Sequence, residues 1–393
     1  MIDDAGLDSL SQKIWDGHRI SLEEARQLNR LSLHELGALA DRRRQGLRTS
    51  THGGEGNRVV TFIVDRNVNY TNVCNVYCKF CAFWRSEKDA DSYVISLDEL
   101  DRKIEETIAH GGTQILLQGG HHPRLTKQWY LDLLHHVRNR FPGFNVHGFS
   151  PSEFVAFAEF FQEPVETIVR DFVAAGLGSI PGGGGEILVD AVRNRIAPLK
   201  ANTADWMGVM DTAHRLGLAT TATMMFGHVE SPDDRLQHLQ VVRDQQDASL
   251  ARLALDGADT PLDRAVAYAH ALEDGRLPGG AFTAFICWTF QPDNAVLKAP
   301  TVGAHEYLRT QAIARIFLDN FPSVQSSWVT QGPEIGQVAL RYGANDLGSI
   351  MLEENVVSAA GTTFRLGVDD MKRLIADLGY QPRQRDNWYR LVA

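Results

Sequence analysis

Two periods of apolar and polar residues run along this chain, and the change from one to the other divides it. Residues 1–57 read as helical: Ser21 with Glu24, and Ser32 with Glu35, fit the S-x-x-E capping box, in which two side chains satisfy orphan amides at a helix start. The stretch THGGEGN, 51–57, breaks the pattern as a joint, so this part is expected to form a helical cap. From residue 58 the run RVVTFIVDRNVNY turns to β-branched and aromatic residues, the profile of a buried strand. Further strands are predicted at 114–120, 144–150, 178–183, 219–227, 281–290 and 324–329, with an eighth near 347–351. Helices are predicted at 96–110, 126–140, 165–175, 203–216 and 303–320. Another starts at Ser231-Pro232-Asp233-Asp234, where a cap residue, a proline and two acids suit the positive helix end.

About eight alternations of strand and helix predict an α/β fold, a (βα)8 TIM-type barrel over 58–361. Residues 362–393 are expected to be a C-terminal helical extension. Residues 248–279 are rich in Ala, Asp and Arg and read as a surface insertion before the sixth strand; a helix-to-strand connection lies on the barrel face opposite the chemistry. Chemistry in such a barrel sits at the C-terminal strand ends, and polar motifs do follow the strands. They include Gln118-Gly119-Gly120-His121-His122, Ser150-Pro151-Ser152-Glu153, Gly227-His228-Val229-Glu230 and Gln291-Pro292.

Composition narrows the partners. Of 393 residues 44% are hydrophobic, enough for a large core, and the net charge of −10 argues against a nucleic-acid partner. No apolar run is long enough to predict a membrane span. The N-terminal residues lack the basic and apolar regions of a secretory signal, so a cytoplasmic protein is expected. Three of the four cysteines lie within eight residues, a ligand pattern rather than a disulfide framework.

Cys74-x3-Cys78-x2-Cys81 follows the first predicted strand. Three thiolates on one loop bind three corners of a [4Fe-4S] cubane and leave the fourth iron open to chelate S-adenosylmethionine. Structural zinc and a fully ligated cluster each need a fourth ligand, and Cys287 is remote in sequence. The spacing resembles the CxxxCxxC signature of the radical S-adenosylmethionine (SAM) superfamily, including the aromatic residue before the last cysteine. That resemblance implies that Phe80 lies near the adenine and that Gly119 and Gly120 receive the methionine amino group.

The resemblance is closer still, over about 58–361. NVNYTNVCNVYCKFCAF, LQGGHHP, SIPGGGGEILVDAVRNRIAP, TTATMMFGHVE, WTFQP, SSWVTQG and GANDLGSIMLEENVVSAAG resemble the dehypoxanthine futalosine cyclase family of menaquinone biosynthesis. Aminofutalosine synthase and the radical enzymes of deazaflavin synthesis are its sister families and the alternative reading. The chain departs from the family pattern in the 248–279 segment and at Cys287, where proline is expected. The resemblance implies that a 5′-deoxyadenosyl radical takes the C4′ hydrogen from the sugar of a small-molecule substrate, dehypoxanthine futalosine. The carbon radical then adds to the aryl ring, and loss of an electron and a proton restores aromaticity. A low-potential donor such as a flavodoxin or ferredoxin would supply electrons.

Several candidates keep two readings. Ser150 and Glu153 either hold ribose hydroxyls or cap a helix. Glu186, after four glycines, either binds a sugar hydroxyl or complements a helix end. His121 and His122 are candidates for a base, one of them only in a supporting place. His228 and Glu230, two apart on an extended strand end, would face one side, and serve the substrate in preference to forming a surface pair. Trp288 and Phe290 either wall the aromatic substrate or pack the barrel, with Gln291 reaching a polar group. Arg193 and Arg195 either receive a carboxylate or lie exposed. His147 and Cys287 are expected to be buried core residues.

Overall fold

The first predicted strand is two strands in the computed structural model, which describes residues 4–255, 257–276 and 279–392. β1 (Val59–Ile63) and β2 (Asp65–Asn69) are separated by Val64 alone, and every residue of both is buried. There follow β3 (Gln114–Gln118), β4 (Asn145–Gly148), β5 (Leu177–Ser179), β6 (Thr220–Phe226), β7 (Phe282–Thr289), β8 (Ser323–Gln325) and β9 (Asp346–Ser349). All pairings are parallel, in the orders β2-β3-β4-β5 and β6-β7-β8-β9-β1. One bridge, Ile180 to Thr220, links the two sheets, and chain continuity through Val64 links them again. Stepping from strand to strand thus returns to β1, as in a TIM-type barrel.

The helix Pro151–Phe161, only one of the two readings of Ser150 and Glu153 in the sequence, is formed and opens on a capping box between them. Two details differ from expectation. The strand predicted at 324–329 ends at Gln325, because residues from Trp328 turn into the short helix Trp328–Gln331. The Trp328 indole nitrogen donates to the Ser349 carbonyl at 3.0 Å and pins that turn. The C-terminal extension carries the helix Val368–Ala376 and also an unpredicted strand, β10 (Gln381–Gln384), parallel beside β1. β10 takes the edge of β1 that β3 takes from β2, which explains why one strand becomes two. Beyond it the Arg385 guanidinium enters the barrel floor and holds both Asp346 oxygens, at 2.6 and 3.0 Å, with both side chains buried.

The expected helical cap is present as Asp4–Trp15, Leu22–Gln27 and Leu33–Arg48, with both predicted capping boxes formed. Residues 1–3 and 393, and 256, 277 and 278 of the 248–279 segment, lie outside the described residues. The described part of that segment is no open loop. Its helix Pro261–Glu273 packs on Leu33–Arg48 and on Pro232–Ala251. Tyr268 and Leu272 are buried in a cluster with Leu250 and Ala281, and none of the segment's described residues lines the cavity described below. Replacing 258–276 by a short glycine-containing linker is expected to leave turnover per cluster unchanged. Stability should fall by about 3–6 kcal/mol, the burial of two large side chains. Denaturation and turnover of the trimmed protein check both; a folded, cluster-loaded but inactive protein would contradict this.

Candidate active site

The C-terminal strand ends surround a cavity of about 390 Å³ that continues down the barrel to Arg385. Cys74, Cys78 and Cys81 all line it. Their loop is held by backbone bonds: Cys74 N–H donates to the Arg85 carbonyl, Lys79 N–H to Ile196 and Cys81 N–H to Cys78. Tyr77 reverses the loop with φ +53°. Burial pushes the Cys78 thiol up to about 12 and raises that of Cys81, against which the Phe83 and Trp84 amides donate to the Cys81 sulfur. Thiols so placed ionise only beside strong positive charge, which bound iron supplies. Among the described residues no group of three or more His, Cys, Asp or Glu is arranged around one ion. Thiols that hold separate corners of a cubane need not meet at one point, so the loop fits a [4Fe-4S] cluster.

Gly119 and Gly120 line the cavity beside this loop. The glycine requirement comes from the protein side: a Cβ on Gly120 would stand 2.1 Å from the Val73 carbonyl oxygen. Glu153 holds the turn. One of its oxygens accepts from Tyr70 Oη at 2.8 Å and Gly119 N at 3.2 Å; the other accepts from Ser150 N and Oγ, both at 2.7 Å. Burial pushes this carboxyl up to about 7, against those four donors. Ser150 and Glu153 therefore do form the cap, and both also line the cavity.

Glu186 lines it too and accepts from the Lys200 ammonium at 2.6 Å. Burial works to raise the Glu186 carboxyl, but Lys200 and Arg193 hold it below its usual range. Lys200 lies over the Phe80 ring, 5.3 Å from its centroid. Sequence reading missed Lys200, which sits two residues past the family-like run; nothing in its local spacing points to the site. Asn67 and Glu354 were missed as well. The Asn67 amide donates to Glu354 at 2.7 Å while its buried Oδ1 has no partner. The available signals were Asn67 and Asn69 sharing one face of β2 and Glu354 inside a family-like run.

His121 lines the cavity, and burial, with the Lys200 charge adding, pushes its imidazole down to about 3. Trp288, Phe290 and Gln291 line the opposite wall, and the buried Trp288 indole N–H has no acceptor. His147 is buried against Ser179 as expected, and also edges the cavity. Five candidates lie elsewhere. His122 is off the cavity, its Nδ1 accepting from Arg124 N. His228 and Glu230 do not reach it either. Gly227 turns the chain at φ +90°, and the Glu230 carboxylate folds back onto the amides of Gly227 and His228 and onto Arg235. Arg193 spends its guanidinium on the carbonyls of Gly184, Gly185 and Ala201, and Arg195 is exposed outside the cavity. Cys287 is fully buried outside the cavity, its thiol donating to Gln311 at 2.9 Å.

Residues 68–242 match the model of the radical SAM superfamily. Residues 279–393 match that of the CofH/MqnC C-terminal region. The FeFe-hydrogenase maturase HydG from Carboxydothermus hydrogenoformans superposes with a TM-score of 0.67 at 14% identity, over 98% of this chain and 81% of its own, a likeness of fold. Barrel, cysteine loop and match together define a radical SAM enzyme, which uses a [4Fe-4S] cluster and S-adenosylmethionine. The cyclic dehypoxanthine futalosine synthase of Halalkalibacterium halodurans is 40% identical over 98% of this chain and 95% of its own length. That of Streptomyces coelicolor is 40% identical over 99% and 90%. The aminodeoxyfutalosine synthase of Thermus thermophilus is 32% identical over 100% and 97%. Within the superfamily, the chain belongs to the family of the cyclic dehypoxanthine futalosine synthases.

Proposed function

We propose that this chain cyclises dehypoxanthine futalosine to cyclic dehypoxanthine futalosine, a step of menaquinone biosynthesis, in the cytoplasm. The observation that carries the reading is 40% identity along almost the whole chain to two synthases of that name, against 32% to an aminodeoxyfutalosine synthase. Cys74, Cys78 and Cys81 hold the cluster. With S-adenosylmethionine bound beside it, that cluster would supply the one-electron chemistry that removes the hydrogen at the sugar C4′.

The chain's own residues position and deprotonate. Gly119 and Gly120 offer backbone to the methionine end, and Glu153 and Ser150 keep that turn in place, facing the ribose. Phe80 packs the adenine. Trp288 and Phe290 wall the aryl ring, with the free indole N–H and Gln291 as donors to the substrate's oxygens. Asn67 Oδ1 accepts from a sugar hydroxyl, and Glu186 with Lys200 supplies paired charge near the cysteine loop. Each of these groups lines the one cavity, and the two without protein partners suit a polar ligand.

His121 is the base in this reading. Burial pushes its imidazole down to about 3, so it stands in the neutral acceptor form across the neutral range, a weak base matched to the acidic proton released as the aryl ring regains aromaticity. His121→Ala should lower formation of the cyclic product by at least about 100-fold, the usual size of a general-base contribution. Cluster content and deoxyadenosine release should persist. The wild-type rate should show no acid limb near pH 6.5 from this residue; equal product formation by the variant removes His121 from the role. The substrate is tested by anaerobic incubation with reductant, S-adenosylmethionine and each candidate substrate separately. Mass spectrometry should find a product lighter by two hydrogens from dehypoxanthine futalosine. Turnover of the aminodeoxyfutalosine synthase substrate instead would overturn the assignment.

A further inference from the structure

Outside the cavity, the cysteine loop is part of a second, solvent-facing surface. Three segments are tied together there. Lys79 N donates to the Ile196 carbonyl at 2.9 Å, Lys79 Nζ to the Arg195 carbonyl at 2.8 Å, and Leu297 N to the Lys79 carbonyl at 2.7 Å. Beneath them Val76, Cys78, Ile196 and Ala197 form a buried cluster. Above it stand Tyr77, Leu199 and Val296, exposed by 49%, 67% and 71%. Leu199 and Val296 are the two most exposed large apolar side chains among the described residues, and both flank the one loop that carries the cysteines.

Cations outnumber acids around this apolar centre, where the exposed Asp293 shares the loop of Val296. Lys79, Arg195 and Lys298 are exposed, and none forms an ion pair with a carboxylate among the described residues. The acids on the neighbouring stretch are already engaged, Asp91 by Arg85 and Glu87 by Arg124. Unpaired cations in a chain of net charge −10 form a local field opposite to that of the whole. An apolar centre rimmed by charge is the make-up of a transient protein interface.

We propose that this face docks a small acidic one-electron carrier protein, which reduces the cluster through Cys78. The inference rests on the reading that the three cysteines hold the cluster. In the transfer the carrier is oxidised by one electron and the cluster reduced by one; no bond forms or breaks and no proton moves. Cys78 lies in sequence between the exposed Tyr77 and Lys79, so the path from the protein surface to a ligand sulfur is short. The cations steer an acidic carrier to this face, and the apolar centre excludes water once it has docked.

The test compares two ways of driving the reconstituted enzyme: reduced acidic carriers, a ferredoxin and a flavodoxin in turn, and dithionite. The variants are Lys298→Glu, whose side chain has no hydrogen bond or ion pair among the described residues, and Arg195→Glu with Lys298→Glu. Carrier-driven deoxyadenosine formation at limiting carrier should fall by about tenfold or more and lose its salt dependence. The dithionite-driven rate and iron content should stay at wild-type values, and Arg195→Lys with Lys298→Arg should restore the carrier-driven rate. Unchanged carrier-driven rates in both charge-reversed variants, failure of either carrier to drive the wild type, or an equal loss under dithionite would overturn the docking face. Failure of wild type under dithionite would instead overturn the cluster reading.

Discussion

Alanine at any one of Cys74, Cys78 or Cys81 is expected to reduce 5′-deoxyadenosine formation to background while the barrel stays folded. The three thiols line one cavity wall, and a cubane that keeps only two protein ligands loses both its hold and its single open iron. The fold does not depend on them. The main core is built from strands and outer helices, and Cys78 belongs only to a small satellite cluster with Val76, Ile196 and Ala197. Iron content, far-ultraviolet circular dichroism and deoxyadenosine release of each variant separate the two consequences. Cys287→Ala is the control. Its thiol touches Gln311 outside the cavity, so its loss should cost about 1 kcal/mol of stability and no iron. A triad variant with full turnover, or loss of iron on replacing Cys287, would contradict the ligand assignment.

Lys200→Met should be the most damaging single change away from the cysteines. It strands the Glu186 carboxylate, buried in the cavity wall and otherwise held at 2.6 Å by that ammonium. Breaking a buried pair from one side costs about 3–5 kcal/mol. The pH dependence should also change sign. In the wild type Glu186 is held below its ordinary range, so its contribution is present above the unfolded carboxylate pKa and is lost only on strong acidification. Without Lys200, burial raises the carboxyl, and stability falls as pH rises through the new value. Denaturation midpoints across mildly acidic to mildly alkaline pH check this. Lys200→Met with Glu186→Gln should recover much of the loss, because no lone charge remains. A single variant as stable as wild type at every pH would show that the pair carries no such energy.

What could be read from the chain alone follows from what is local. The strands at 114–118, 220–226 and 282–289 are apolar runs bounded by strong caps, and local pattern suffices for them. β10 has the sequence Gln-Pro-Arg-Gln, with no strand signal; it forms because β1 leaves an edge at the barrel floor, a tertiary cause. The same edge splits the first predicted strand at Val64. The cysteines were legible because cluster chemistry constrains ligand number and spacing on one loop. Lys200, Asn67 and Glu354 were not, because each meets its neighbours only when distant segments converge. His228 and Glu230 misled for the opposite reason. The two do meet, His228 Nδ1 standing 3.0 Å from a Glu230 oxygen, but Gly227 turns the chain just before them and the pair lies off the cavity.

The most direct measurement uses dehypoxanthine futalosine carrying deuterium at the sugar C4′, incubated anaerobically with the reduced enzyme and S-adenosylmethionine. Mass spectrometry of the 5′-deoxyadenosine should find that deuterium, in step with formation of the cyclic product. Unlabelled 5′-deoxyadenosine accompanying the cyclic product, or deoxyadenosine release with the substrate unchanged, would contradict hydrogen abstraction at that carbon.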